Sequence, residues 1–189
     1  MSFSHAFDTL IAEYVSLANK QNQGLVTYYE PDWPSPCFKF VTDQVLEEGD
    51  EVEWYPFKRD EKQDLSNLED ALEISIPESL HEYFCRYYSH DINARAEHGA
   101  LTLIQAWNAA DFDRLQKNLI AHVLMKRRLK QDDTLFIALT DEDGFVLSVL
   151  LKTGEVVLEE VGRVPSKIIA PDLTTFIEQI KPEPAFVSL

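Results

Sequence analysis

Residues 134–162 read TLFIALTDEDGFVLSVLLKTGEVVLEEVG. The runs TLFIALT, FVLSVLL and EVVLEEVG have strand length and strand composition. DEDG and KTG between them are the turn chemistry of consecutive hairpins, because glycine reaches positive φ at no steric cost. An antiparallel meander is therefore expected. DEDG also resembles the opening of a calcium loop, but the stretch from Val146 to Leu151 is apolar where that loop needs oxygen ligands, so a hairpin turn is the better reading.

Upstream of the meander, AADFDRLQKNLIAHVLMKRRLK reads as a long helix capped by Asn108, with Phe112, Leu115, Leu119, Val123 and Met125 or Leu124 inward. ALTLIQAW before it reads as a strand. Farther back, the acidic start and apolar spacing of ISIPESLHEYFCRYYS predict a helix with Leu80, Phe84 and Tyr87 or Tyr88 on its buried face. A shorter helix is expected around Leu65 to Leu72, joined to what precedes it by the solvated stretch KRDEKQD. Phe3, Phe7, Leu10, Ile11, Tyr14, Leu17 and Ala18 mark an N-terminal amphipathic helix that Gly24 ends. Three prolines in PDWPSPC stiffen the lead-in to a short strand from Cys37 to Val41, which EVEWYPF would pair. Downstream, Asp172 caps a last helix. The order α, β, β, α, α, β, α, β, β, β, α defines a single α+β domain, a largely antiparallel sheet flanked by helices, over residues 1–181, with 182–189 expected to be a flexible tail.

Charge narrows the function. The chain has 189 residues, 33 acidic against 17 basic, and a formal net charge of −16. Such a field repels nucleic-acid phosphates and disfavours direct binding to an anionic membrane surface, and it favours a basic partner. The first 100 residues hold 20 acids and 7 bases, so the acidity is concentrated there. No apolar stretch is long enough to span a bilayer and the N-terminus lacks the basic region of a signal peptide, so a cytoplasmic protein with reduced Cys37 and Cys85 is expected.

Catalytic signatures are weak. Six glycines include no phosphate-loop arrangement. His81 and Glu82 begin a zinc-protease pattern, yet Cys85 stands where the second histidine belongs, so a metal hydrolase built on these residues is a distant rival. Cys37 has no nucleophile elbow around it. No cofactor and no enzymatic activity are expected. Lys126, Arg127, Arg128 and Lys130 in MKRRLK complement the negative end of the helix dipole, and could also touch anionic headgroups.

The stretch LEEGDEVEWYPF remains, with Glu47, Glu48, Asp50, Glu51 and Glu53 beside Trp54, Tyr55 and Phe57. Carboxylates bind guanidinium groups bidentately and aromatic faces hold cations, so the combination suits a Lys/Arg-rich loop. Core packing is the competing reading for each of Trp33, Trp54 and Trp107.

Four stretches, WPSPC (33–37), ALTLIQAW followed by DF (100–107, 111–112), NLIAHVLMKRRLK (118–130) and TLFIAL (134–139), resemble the Syd family of SecY-interacting proteins over nearly the whole chain. The resemblance implies a SUKH-superfamily α+β fold with a concave acidic groove. It also implies a non-enzymatic role: docking basic cytoplasmic loops of SecY, and regulating, sequestering or testing SecY that is not properly complexed. The location implied is the cytoplasmic face of the bacterial inner membrane, peripheral and loose, through SecY, with Lys126, Arg127, Arg128 and Lys130 available to assist. Candidate groove residues are Asp32 and Asp111, within or beside the matching segments, with Glu47, Glu48, Glu51, Glu53, Trp54, Glu69, Glu73 and Asp91. Because many SUKH domains are immunity proteins, neutralisation of a basic toxin is the alternative.

Overall fold

Seven strands run antiparallel to one another in a single sheet in the order β10-β9-β8-β7-β6-β5-β11. They are β5 (Ile92–Ala96), β6 (Gly99–Leu103), β7 (Thr134–Thr140), β8 (Phe145–Leu150), β9 (Val156–Glu160), β10 (Lys167–Ala170) and β11 (Lys181–Pro182). The protein is described by a computed structural model, at residues 2–20, 24–40, 45–60 and 64–184. The meander forms as the sequence predicts. Gly144 and Gly154, at φ +83 and +82, close its two turns in a conformation that a side chain would strain.

Five helices accompany the sheet: α1 (Phe3–Lys20), α2 (Ser66–Leu72), α3 (Glu78–Cys85), α4 (Ala109–Arg128) and α5 (Leu173–Gln179). The α+β class is thus as the sequence reads. α4 lies against β7 and carries α2, while α1 packs on α3 and α5. Tyr83 is fully buried between α1 and the sheet: its ring meets Phe3, Phe7 and Phe84, and its hydroxyl donates to the Ile137 carbonyl at 2.7 Å. Such a buried aromatic removes its large apolar area from water while its polar tip stays satisfied.

Caps fix two helices. Asn108 Oδ1 accepts from the Asp111 backbone N–H at 2.9 Å and Asp172 Oδ1 from that of Thr175 at 2.7 Å, each satisfying an otherwise orphaned helix donor. On α4 the inward face is Phe112, Leu115, Leu119, Val123 and, against expectation, Lys126, whereas Leu124 is exposed and Met125 half-buried. Continuing the i, i+3, i+4 stripe from Leu119 through His122 and Val123 lands on position 126, so geometry overrides the polarity of the lysine.

Three further differences concern short elements. The strand expected at Cys37 to Val41 is reduced to one bridge, Phe38 to Trp54, and Val41 lies outside the described residues. The partner of β2 (Glu51–Glu53) is instead β1 (Val26–Tyr28), and β3 (Phe57–Lys58) pairs with β4 (Tyr87–Tyr88). At the C-terminus, Lys181 and Pro182 pair with Arg95 and Ala94, and the Glu183 N–H donates to the Asn93 carbonyl at 2.9 Å, so the chain stays docked past residue 181. Of the expected tail, 185–189 lie outside the described residues.

Candidate functional site

The segment between β4 and α4 is held by hydrogen bonds to the proline-rich stretch. Asn108, besides capping α4, donates from Nδ2 to the Pro34 carbonyl at 2.8 Å, and the Cys37 N–H donates to Ser35 Oγ at 3.1 Å. Trp107 is buried, stacked on the His90 imidazole at 3.9 Å and edge-on to Phe38 and Trp54. His90 in turn contacts Thr27 Oγ1 at 3.0 Å, which brings the β1-β2 ribbon against this segment.

On this platform opens a recess of about 250 Å³ lined by His90, Asp91, Gln105, Trp107, Asp111 and Arg114 among others. Asp91 Oδ1 accepts from the Gln105 backbone N–H at 2.8 Å across the β5-β6 hairpin. Asp111, in the first turn of α4, accepts from the Trp107 N–H at 2.9 Å, a reciprocal cap in which Asn108 and Asp111 each satisfy a backbone donor near the other. Burial, and then the nearby Asp111 charge, push the Asp91 carboxyl above its ordinary range, with the Gln105 N–H opposing. Burial lowers the His90 imidazole to about 4, so it is neutral at physiological pH. Two carboxylates therefore stand together with no protonated histidine to offset them. The rim already holds one cation: the Arg114 guanidinium reaches Asp111 Oδ1 at 2.9 Å and lies 4.8 Å from the centre of the Trp33 ring.

Of the acids singled out from sequence, Asp91 and Asp111 are the two that line this recess. Asp32 is exposed in the turn just before Trp33. Glu47, Glu48, Glu51 and Glu53 are exposed around the β1-β2 ribbon, Glu51 and Glu53 sharing the face opposite buried Val52, and Lys39 pairs with Glu53 at 2.9 Å. Trp54 is only 4% exposed, packed on His90 and Trp107, so its ring belongs to the core and offers no surface for a cation. Glu69 is turned inward to the Ile76 N–H at 2.7 Å and His81 Nε2 at 3.4 Å, and Glu73 is exposed at the end of α2. Trp33, which opens the WPSPC stretch, stands at the rim, and Arg114 belongs to the site without a sequence signal that sets it apart from other surface residues.

The basic cluster also divides. Lys126 is fully buried, with Nζ 2.5 Å from Glu159 Oε2 and 3.0 Å from the Arg163 carbonyl, and Arg127 is tied to Asp133 and the Leu72 carbonyl. Neither is placed to reach a headgroup, while Arg128 and Lys130 are exposed. Among the described residues no group of three or more His, Cys, Asp or Glu side chains could hold a metal ion, and His81 Nε2 lies 3.4 Å from Glu69 Oε1. Burial pushes both thiols up to about 11, which keeps Cys37 and Cys85 protonated at neutral pH. No helix among the described residues is long and apolar enough to cross a membrane.

Comparison with known proteins places this geometry in context. The family described as "Syd protein (SUKH-2)" matches residues 4–182. A curated Protein Syd of Pseudoalteromonas atlantica is 41% identical over 179 residues, 95% of each chain. That of Alteromonas mediterranea is 41% identical over 182 residues, covering 96% of this chain and 97% of its own, and that of Psychromonas ingrahamii is 40% identical over 155 residues.

Proposed function

The chain belongs to the Syd protein (SUKH-2) family, and on that premise we propose that it is a non-enzymatic binding protein whose acidic recess docks basic cytoplasmic loops of SecY. The observation that carries the reading is the pairing of Asp91 and Asp111 in one recess beside a guanidinium already seated between Asp111 and Trp33. A partner arginine finds there the same carboxylate and aromatic chemistry that holds Arg114. The exposed acids Asp32, Glu47, Glu48, Glu51 and Glu53, on the proline-rich stretch and the β1-β2 ribbon that pack against this segment, extend the negative field around it, whereas Glu73 lies at the far end of α4 beside Arg127. Cytoplasmic loops of membrane proteins are enriched in Lys and Arg, so a chain of net charge −16 is steered toward them at long range. In this reading the protein works at the cytoplasmic face of the inner membrane by engaging uncomplexed SecY.

Titration with SecY in detergent at about 50 and about 500 mM salt, a span that shortens the Debye length severalfold, tests the proposal. Tight binding at low salt that fades at high salt, and that weakens in Asp91→Asn/Asp111→Asn, is expected. Equal binding by that variant would sink the recess as the docking surface, and no binding at either salt would bring neutralisation of a basic toxin forward.

A further inference from the structure

The two ends of α4 differ. Its first turn borders the acidic recess, and its last residues, about 30 Å away at 1.5 Å per residue, form a corner of opposite character. There Leu129, Val161 and Val164 stand 49, 54 and 62% exposed. The helix end and the turn after β9 form one surface. The Leu129 Cδ1 methyl lies 4.0 Å from the point a Cβ on Gly162 would occupy, and Gln131 Nε2 donates to the Gly162 carbonyl at 3.1 Å. Arg128 and Lys130 flank Leu129 in the chain and Arg163 precedes Val164, all three exposed, and none forms an ion pair among the described residues. The adjacent strand β10 adds exposed Lys167 and Ile168. Glu160 and Asp132 are the exposed acids nearest in sequence and Glu73 the one brought near Arg127, so against Arg128, Lys130, Arg163 and Lys167 the corner is net basic in a chain that is otherwise strongly acidic.

We infer that this corner is a contact site for an anionic lipid surface, separate from the acidic recess. Uncompensated bases beside aliphatic side chains on a helix end and a projecting turn match a headgroup layer over an apolar interior. An acidic peptide would instead need a groove or an open strand edge. β10 is an edge strand, but it is short, carries Lys167, breaks register between Ile168 and Ala170, and lies between Pro165 and Pro171, all of which blunt strand addition. The acidic bulk of the molecule opposes lipid at long range, so the contact is local and short-ranged. Each base at such a surface contributes about fivefold in partitioning.

The test uses the full chain and contains no SecY, so its outcome is independent of the docking reading. Cosedimentation is measured at about 50 mM salt with vesicles of phosphatidylglycerol and phosphatidylcholine in equal amounts, and with phosphatidylcholine alone. Partitioning is expected only onto the anionic vesicles. Arg128→Glu/Lys130→Glu should lower it by about tenfold or more, and Val161→Ser/Val164→Ser should lower it without any change of charge. Lys20→Glu/Lys117→Glu makes the same change of net charge on other exposed positions and should cost far less. Circular dichroism confirms that each variant is folded. No preference for anionic vesicles overturns the inference, which is also the result expected if an acidic protein is the occupant. An equal loss in the Lys20/Lys117 control overturns it too.

Discussion

The Ser35 hydroxyl donates to the Trp107 carbonyl at 2.6 Å, joining positions 72 residues apart. With the Asn108 amide on the Pro34 carbonyl, this bond ties the proline-rich stretch to the cap of α4, whose Trp107 and Asp111 line the recess.

Asn108→Ala removes the cap and leaves the Pro34 carbonyl without that donor. Stability should fall by about 1–3 kcal/mol, read as a lower urea midpoint. Affinity for basic loops should fall with it, because Asp111 and Trp107 lose their fixed orientation.

Lys126→Met strands Glu159, which is 1% exposed, without its ammonium partner. Removing one member of a buried pair costs about 3–5 kcal/mol. Adding Glu159→Gln should restore part of the loss, since an amide keeps acceptor capacity toward the Ser148 and Thr134 hydroxyls. A double variant no more stable than Lys126→Met, by denaturant unfolding, would contradict this account of the network.

Two groups contribute to the acid sensitivity of the fold. His90 falls from 6.5 to about 4 through burial, so the unfolded chain binds a proton that the folded one refuses, and stability is lost as pH drops from about 6.5 toward 4. Burial raises the Glu159 carboxyl, but hydrogen bonds from His122, Lys126, Ser148 and Thr134 win and bring it to about 2, so its contribution is lost as pH falls from about 4.5 through 2. Urea midpoints measured against pH should decline across both windows, and His90→Gln should flatten the upper one.

How much of this was legible depends on the physics of each element. The meander is readable because strand composition and turn glycines agree locally, and α4 because Asn108 announces its start. β5, with the sequence INARA, has Ile92 as its single β-branched residue and no aromatic, and its pairing with β6 supplies what propensity does not. β1 and β10, three and four residues long, present too few alternations to be seen. The recess is a tertiary object: Asp91 and Asp111 come together through the β5-β6 hairpin and the cap of α4, and no spacing rule links residues across such a path. Lys126 was legible in part, because the apolar stripe passes through it, but a lysine in a basic run at a helix end reads first as a dipole partner.

Binding at the recess should depend on pH through Asp91. Its carboxyl is raised above the ordinary 3.8 by burial and by the nearby Asp111 charge, so it takes up a proton at a higher pH than an unperturbed aspartate. A docked cation favours the charged form, so affinity for a basic peptide should fall as pH is lowered, starting above the pH at which an unperturbed aspartate would protonate, with proton release on binding visible by calorimetry in buffers of different ionisation enthalpy. Asp91→Asn should bind more weakly with a flatter pH profile.

Lys130 follows the last residues of α4 with φ +57, where glycine is the usual helix terminator. Lys130→Gly should raise stability by roughly 0.5–1 kcal/mol, measured by thermal unfolding, while weakening adhesion to anionic vesicles. A loss of stability would show that the lysine side chain contributes more than its backbone strain costs.

The bond between Lys126 and Glu159 also acts as a check on alignment. Sliding β9 by one residue against β8 would exchange the faces of Glu159 and Leu158, carrying the carboxylate outward and leaving an ammonium enclosed by hydrocarbon. Apolar Val156 and Val157 could tolerate such a slip, but the charge pair cannot. A meander assembled from interchangeable aliphatic strands is thereby restricted to one alignment by a single ionic contact.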